Sequence, residues 1–132
     1  MIAATAPIKD YMTQATIGID ADLTLADAKA RMANERIRHL PVLRDGRLIG
    51  ILSARDVILM ESLPDIEPSE TPVQSAMVGG NLRTCAPDSP IRDALQIMVE
   101  HGIGAVPIVE DGQLSGIFTD VDAAKVLLNA LV

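Results

Sequence analysis

The sequence predicts a mixed α+β protein built from two β-α-β-β-α repeats. Three observations carry that reading: an internal duplication, a change of apolar period within each copy, and matching turn and cap residues. Residues 16–57 align without gaps on residues 82–123, and twelve of the 42 aligned positions are identical. They are Asp22/Asp88, Asp27/Asp93, Ala28/Ala94, Met32/Met98, Ile37/Ile103, Pro41/Pro107, Asp45/Asp111, Gly46/Gly112, Leu48/Leu114, Gly50/Gly116, Ile51/Ile117 and Asp56/Asp122. A shorter echo, Ile8 to Met12 and Val73 to Met77, precedes each copy. Repeats this alike are expected to fold alike, to be related by a pseudo-twofold axis, and to pack sheet on sheet with their helices outside. The boundaries read as repeat 1 over 7–62, a Pro-rich acidic linker over 63–72, and repeat 2 over 73–132, together one module.

The elements follow in order. Ile17 to Asp20 reads as a short strand. Thr24 caps a helix, with Asp27 three residues on to complete a capping box. Leu25, Ala28, Met32 and Ala33 fall on one face of that helix. His39 to Leu43 is a strand, Asp45-Gly46 a hairpin turn, and Leu48 to Leu52 the returning strand. Ser53 caps a helix through about Glu61. In the second copy Ser89-Pro90 opens the helix with Pro at its first position, and Gly102 ends it. Asp111-Gly112 turns the hairpin, and Thr119 caps a last helix. The paired strands are apolar almost throughout, as in sheets covered on both faces.

Composition narrows the function. The chain is 48% hydrophobic but 2% aromatic, so its core is aliphatic and a bound base would lie between aliphatic side chains. A net charge of −7 argues against nucleic acid or an anionic membrane as partner. The charge is uneven. Residues 1–66 hold eight basic and nine acidic side chains, residues 67–132 three and nine, and the cations gather at Arg36, Arg38, Arg44, Arg47 and Arg55. Cys85, the one cysteine, sits in an apolar run and reads as a small buried hydrophobe. There is no signal-peptide pattern and no membrane-spanning apolar run, so a cytoplasmic location is the expectation. His39 and His101 lack motif-level partners, and there is no metal-ligand spacing, GxGxxG or P-loop. The sequence therefore reads as a binding module and not an enzyme.

The text IRHLPVLRDGRLIGILSARDV at 37–57 and IGAVPIVEDGQLSGIFTDVDA at 103–123 resembles the CBS (cystathionine-β-synthase) domain family in its paired form, the Bateman module. Each copy has an apolar-Pro-apolar strand, an Asp-Gly turn, an apolar-Gly-apolar strand and then Ser/Thr-x-x-Asp. The resemblance covers nearly the whole chain. It implies a regulatory, energy-sensing role through an adenine nucleotide (AMP, ADP or ATP) held in the clefts between the repeats, with no required cofactor.

The resemblance also implies site residues. Ser53 and Asp56, and Thr119 and Asp122, would serve phosphate and ribose. A hydroxyl at a strand-to-helix junction lies where amides favour an anion, and an Asp in the first turn can accept from a ribose diol. Pro41 and Pro107 would lie on the strands that read the base, and Thr84 beside it, where the first copy has Gly18. Arg38 and His39 would meet phosphates; the second copy has Gly104 and Ala105 instead. On these grounds the Asp122 site is expected to be the tighter, completed by Arg38 and His39. A capping box without a ligand is the competing reading of Ser/Thr-x-x-Asp. A dimerisation or docking module with degenerate sites, or a binder of S-adenosylmethionine or NAD, are the alternatives. A homodimer is expected from the aliphatic runs at Val57 to Met60 and Ala123 to Leu128, and an unidentified regulated protein is a possible partner.

Overall fold

Each hairpin forms where Asp-Gly supplies two consecutive residues at positive φ, Asp45 at 50° and Gly46 at 78°, and Asp111 at 52° and Gly112 at 78°. Two positive φ values define the tight turn whose twist matches that of paired strands. The computed structural model describes residues 2–14, 18–80 and 82–131. Among them the strands are β1 (Thr13–Gln14), β2 (Ile19–Asp20), β3 (His39–Arg44), β4 (Arg47–Ser53), β5 (Ala105–Glu110) and β6 (Gln113–Thr119). The helices are α1 (Leu25–Glu35), α2 (Ala54–Glu61), α3 (Ile91–His101) and α4 (Asp120–Ala130), with short 3-10 turns at Ile8–Asp10 and Val73–Ser75. The fold is thus mixed α+β, with four helices and two three-stranded sheets, ordered β2-β3-β4 and β1-β6-β5. β2 runs parallel to β3, with Ile19 opposite Val42. In the second copy the corresponding strand is a single parallel bridge, Cys85 to Ile108. Ile17, where the first strand was expected to begin, lies outside the described residues.

Two compact units result, but their boundaries do not follow the sequence copies. One comprises Ile17–Leu82, the other Met1–Thr16 together with Arg83–Val132. Each leading segment therefore packs on the copy it does not precede. The bonds are matched. The Ile8 amide donates to Ser89 O at 2.9 Å and the Ile91 amide to Ala6 O at 2.7 Å; the Val73 amide donates to Leu23 O at 2.8 Å and the Leu25 amide to Thr71 O at 2.9 Å. Ile8 and Val73 are fully buried. Ile8 joins Ile91, Ala94, Val106, Ile108 and Phe118 in one core, and Val73 joins Ile19, Leu25, Met32, Leu40, Val42, Leu52 and Val57 in the other.

Each docked segment covers the open edge of a hairpin. β4 and β6 would otherwise present unpaired backbone groups. β1 pairs antiparallel with β6, Thr13 opposite Ile117. Val78 does the same for β4, exchanging bonds of 3.0 and 2.9 Å with Ile51.

Three local expectations are corrected. Ala33 faces solvent, while Leu25, Ala28 and Met32 are buried, because the buried stripe of an 11-residue helix is narrower than the periodicity suggested. Pro90 is the cap residue of α3 and not its first helical residue; it has an extended ψ of 141°, and no side chain caps the helix. The Ser89 hydroxyl instead accepts from the Ala86 amide at 3.1 Å. Cys85 is half-buried, and burial followed by the Asp93 carboxylate pushes its thiol above the ordinary value. The Thr24–Asp27 capping box is present as expected, and its bonds from Thr24 hold the Asp27 carboxyl below the usual range.

The docked segments approach very closely. A Cβ on Gly116 would lie 2.6 Å from Met12 Sδ and 2.8 Å from the Thr13 carbonyl oxygen; one on Gly50 would lie 2.6 Å from Met77 Sδ and 2.8 Å from the Val78 carbonyl oxygen. Because backbone oxygens are among the obstacles, side-chain rotation alone cannot make room. Gly116→Ala is expected to cost about 1–3 kcal/mol in urea denaturation, and Gly50→Ala a similar amount. Unchanged midpoints would contradict this close packing.

Candidate nucleotide site

Both Ser/Thr-x-x-Asp motifs sit at strand-to-helix junctions, where an extended residue at the end of the hairpin becomes a helix cap. Ser53 and Thr119 have φ of −101° and −111°, and each forms a complete capping box with the Asp three residues on. In the first, the Ser53 amide donates to Asp56 Oδ2 at 2.9 Å and the Asp56 amide to Ser53 Oγ at 3.0 Å. In the second, the Thr119 amide donates to Asp122 Oδ2 at 3.0 Å and the Asp122 amide lies 3.5 Å from Thr119 Oγ1. The helix-cap role is therefore real in both copies.

The first helical amide is also used. Ala54 donates to Arg38 O at 2.8 Å, and Asp120 to Gly104 O at 2.9 Å. Two of the first three helical amides at each junction are thus bonded within the protein, which narrows what the helix start alone can offer a phosphate.

The same contacts bring Arg38 and His39 to the first junction. His39 lies opposite Ser53 in the β3–β4 register, and Arg38 precedes it with its carbonyl bonded to the start of α2. Arg38, His39, Ser53 and Asp56 therefore share one corner of the unit Ile17–Leu82. Arg38 is exposed, His39 partly so, and Pro41 is buried in the strand. The matching corner of the other unit has Gly104 and Ala105, with Ala105 opposite Thr119, and no cation at those positions. Arg38 and His39 thus stand beside the Asp56 motif within a single unit.

The two aspartates differ. Asp122 is buried, at 4% exposure, and is the buried charged residue among those described. Its Oδ1 and Oδ2 lie 3.0 and 3.2 Å from the Thr13 hydroxyl, and the Thr119 hydroxyl is 3.3 Å from Oδ2. Asp56 is partly exposed. Its Oδ2 accepts from Ser53, and its Oδ1 has no protein donor among the described residues. Thr13 was not singled out in the sequence. The available signal was its place one residue past the echo Ile8 to Met12, where the other copy has Val78.

Thr84 is exposed, beside the Cys85 amide that donates to Pro107 O at 3.2 Å. It lines an open depression of about 530 Å³ with Cys85, Ala86, Ser89, Asp93, Gln96, Ile97, Glu100 and Val109. Neither Thr119 nor Asp122 lines that depression, so Thr84 and the Asp122 motif do not meet around it. His101 is exposed at the end of α3. Among the described residues no group of three His, Cys, Asp or Glu side chains could hold a metal ion, and no helix is long and apolar enough to cross a membrane.

Duplicated hairpins, each leading into a Ser/Thr-x-x-Asp helix start, define a tandem-repeat α+β protein. The CBS domain family matches residues 8–61 and 70–129, and the chain belongs to that family. It is similar to CBS domain-containing protein YhcV of Bacillus subtilis, with 31% identity over 121 residues, spanning 89% of this chain and 82% of that protein. Of the longer enzymes among its curated relatives the chain spans only 14% to 23%. Two solved structures share the fold. The CBS domain pair of protein MJ0100, in complex with 5′-methylthioadenosine and S-adenosyl-L-methionine, has a TM-score of 0.86 at 22% identity over 96% of this chain and 99% of that one. CBSX2 in complex with AMP has a TM-score of 0.81 at 20% identity over 95% of this chain and 98% of that one.

Proposed function

We propose that the chain is a non-catalytic regulatory module that binds an adenine ribonucleotide, AMP, ADP or ATP, and that the Asp56 corner is its better site. The observation that carries this reading is the pairing of an uncommitted Asp56 carboxylate oxygen with Arg38 and His39 at the same strand-to-helix junction. The carboxylate accepts hydrogen bonds from the ribose diol, Ser53, Arg38 and His39 face the phosphates, and Pro41 belongs to the strand that flanks the base. The Asp122 motif, with Thr119, Pro107 and Thr84, is the second and weaker site. This ranking differs from the one expected from sequence, because Asp122 is already bonded by Thr13 and Arg38 stands beside Asp56 within one unit. The adenosyl ligands of MJ0100 and CBSX2 support the ligand class.

A second reading rests on exposed aliphatic side chains: Ile58 at 67% and Leu59 at 57% on α2, and Leu127 at 61% and Leu128 at 70% on α4. Surfaces of this kind favour self-association or docking to a regulated protein. Light scattering at tens of micromolar is expected to give a dimer mass, and a monomer mass would count against the surface as a self-association face.

Ligand binding is checked by thermal denaturation with AMP, ADP, ATP, S-adenosylmethionine and NAD. A nucleotide at 100 times its dissociation constant raises stability by about 2.7 kcal/mol. Asp56→Ala is expected to weaken AMP binding by about 10- to 150-fold, the value of a hydrogen bond to a charged acceptor. Arg38→Ala is expected to weaken AMP more than adenosine. No melting shift with any of the nucleotides at millimolar concentration would overturn the reading in favour of docking.

A further inference from the structure

We infer that Thr13 sets the selectivity of the second site by occupying the Asp122 carboxylate, so that the two copies respond unequally to a ribose diol. This rests on the proposed adenine-ribonucleotide function and adds what governs one of its two sites. The Thr13 hydroxyl lies within hydrogen-bond distance of both Asp122 oxygens, 3.0 and 3.2 Å, and Thr119 supplies an amide and a hydroxyl to Oδ2. A carboxylate has about four acceptor positions. Oδ1, the oxygen Thr119 leaves open, is the one Thr13 approaches more closely. With Oδ2 taken up by Thr119, a vicinal diol that bonds Asp122 through both hydroxyls needs both positions on Oδ1, and so displaces the Thr13 hydroxyl and exchanges one bond for another. At Asp56 the equivalent backbone position is Val78, which has no side-chain donor, so a diol there adds bonds without removing any.

Thr13 is suited to act as this blocker. It is exposed, while the carboxylate it covers is buried, so its hydroxyl can turn into water when displaced. Its backbone is held, being paired opposite Ile117 and pressed against Gly116. The response is accordingly a side-chain rotation and not departure of the segment.

The test is calorimetry with AMP and with 2′,3′-dideoxy-AMP, comparing the full chain, Thr13→Val and Thr13→Ser, each with and without Asp56→Ala. Valine keeps the shape of threonine and puts at position 13 the residue found at 78. With Asp56→Ala present, Thr13→Val is expected to tighten AMP binding by about tenfold, within the range for one bond to a charged acceptor. It should give no gain for the dideoxy ligand, and Thr13→Ser, which retains the donor, should give no gain for AMP. Urea denaturation of each variant checks that it is folded at the assay temperature. Unchanged or weaker AMP binding in Thr13→Val, with AMP still bound at the Asp56 site of the parent chain, would overturn the blocking role alone. Absence of AMP binding in every variant and in the parent chain would overturn the proposed function and this inference with it.

Discussion

The hydrogen atom that stands in for a side chain at Gly116 determines where the N-terminal segment can lie. The Thr13 carbonyl oxygen sits 2.8 Å from where a Cβ would be, and Met12 Sδ 2.6 Å from it. Only at that separation can β1 pair with β6, bury Ile8 and bring the Thr13 side chain to Asp122. Gly50 performs the same service for Met77 and Val78. The identical glycines thus impose identical backbone geometry on both units, and the residue carried at the matched position, Thr in one and Val in the other, decides whether the nearby aspartate is engaged.

Equivalent backbones consequently do not give the two aspartates equivalent surroundings. Both Ser/Thr-x-x-Asp motifs form capping boxes, so the helix-start and ligand-binding readings of the motif are not exclusive. A capping box spends one carboxylate oxygen on the cap amide and leaves the other. In Asp56 the other is uncommitted among the described residues; in Asp122 Thr13 takes it. The charge asymmetry runs the same way, since Arg38 and His39 stand at the Asp56 junction and Gly104 and Ala105 at the other. Thr13 against Val78, Arg38 against Gly104 and His39 against Ala105 distinguish two corners that share a capping box, a hairpin turn and a central proline.

Much of the fold was legible because its signals are local. The Asp-Gly turns need positive φ, the hydroxyl-x-x-carboxylate spacing marks helix starts, and the apolar strands between them have few other readings. The exchange of leading segments was not legible. The echo of Ile8 to Met12 at Val73 to Met77 showed that both copies have such a segment, but periodicity carries no information on which hairpin edge it covers. The candidate residues were legible as residue types, and which of them share a corner of one unit was not. That His39 lies opposite Ser53 follows from strand register, and the Thr13–Asp122 bond spans 109 positions. Ala33 and Pro90 were misplaced for a smaller reason: a helix boundary and the width of its buried stripe depend on packing that sequence spacing cannot fix.

Under the proposed function the Asp56 carboxylate, with its uncommitted oxygen, is the ribose acceptor. A crystal structure of the protein at saturating AMP tests it most directly. Ribose O2′ or O3′ is expected at about 2.7 Å from an Asp56 carboxylate oxygen, with Arg38 or His39 on the phosphate. AMP held with its ribose on Asp122, the Asp56 carboxylate left without a ligand, would contradict it.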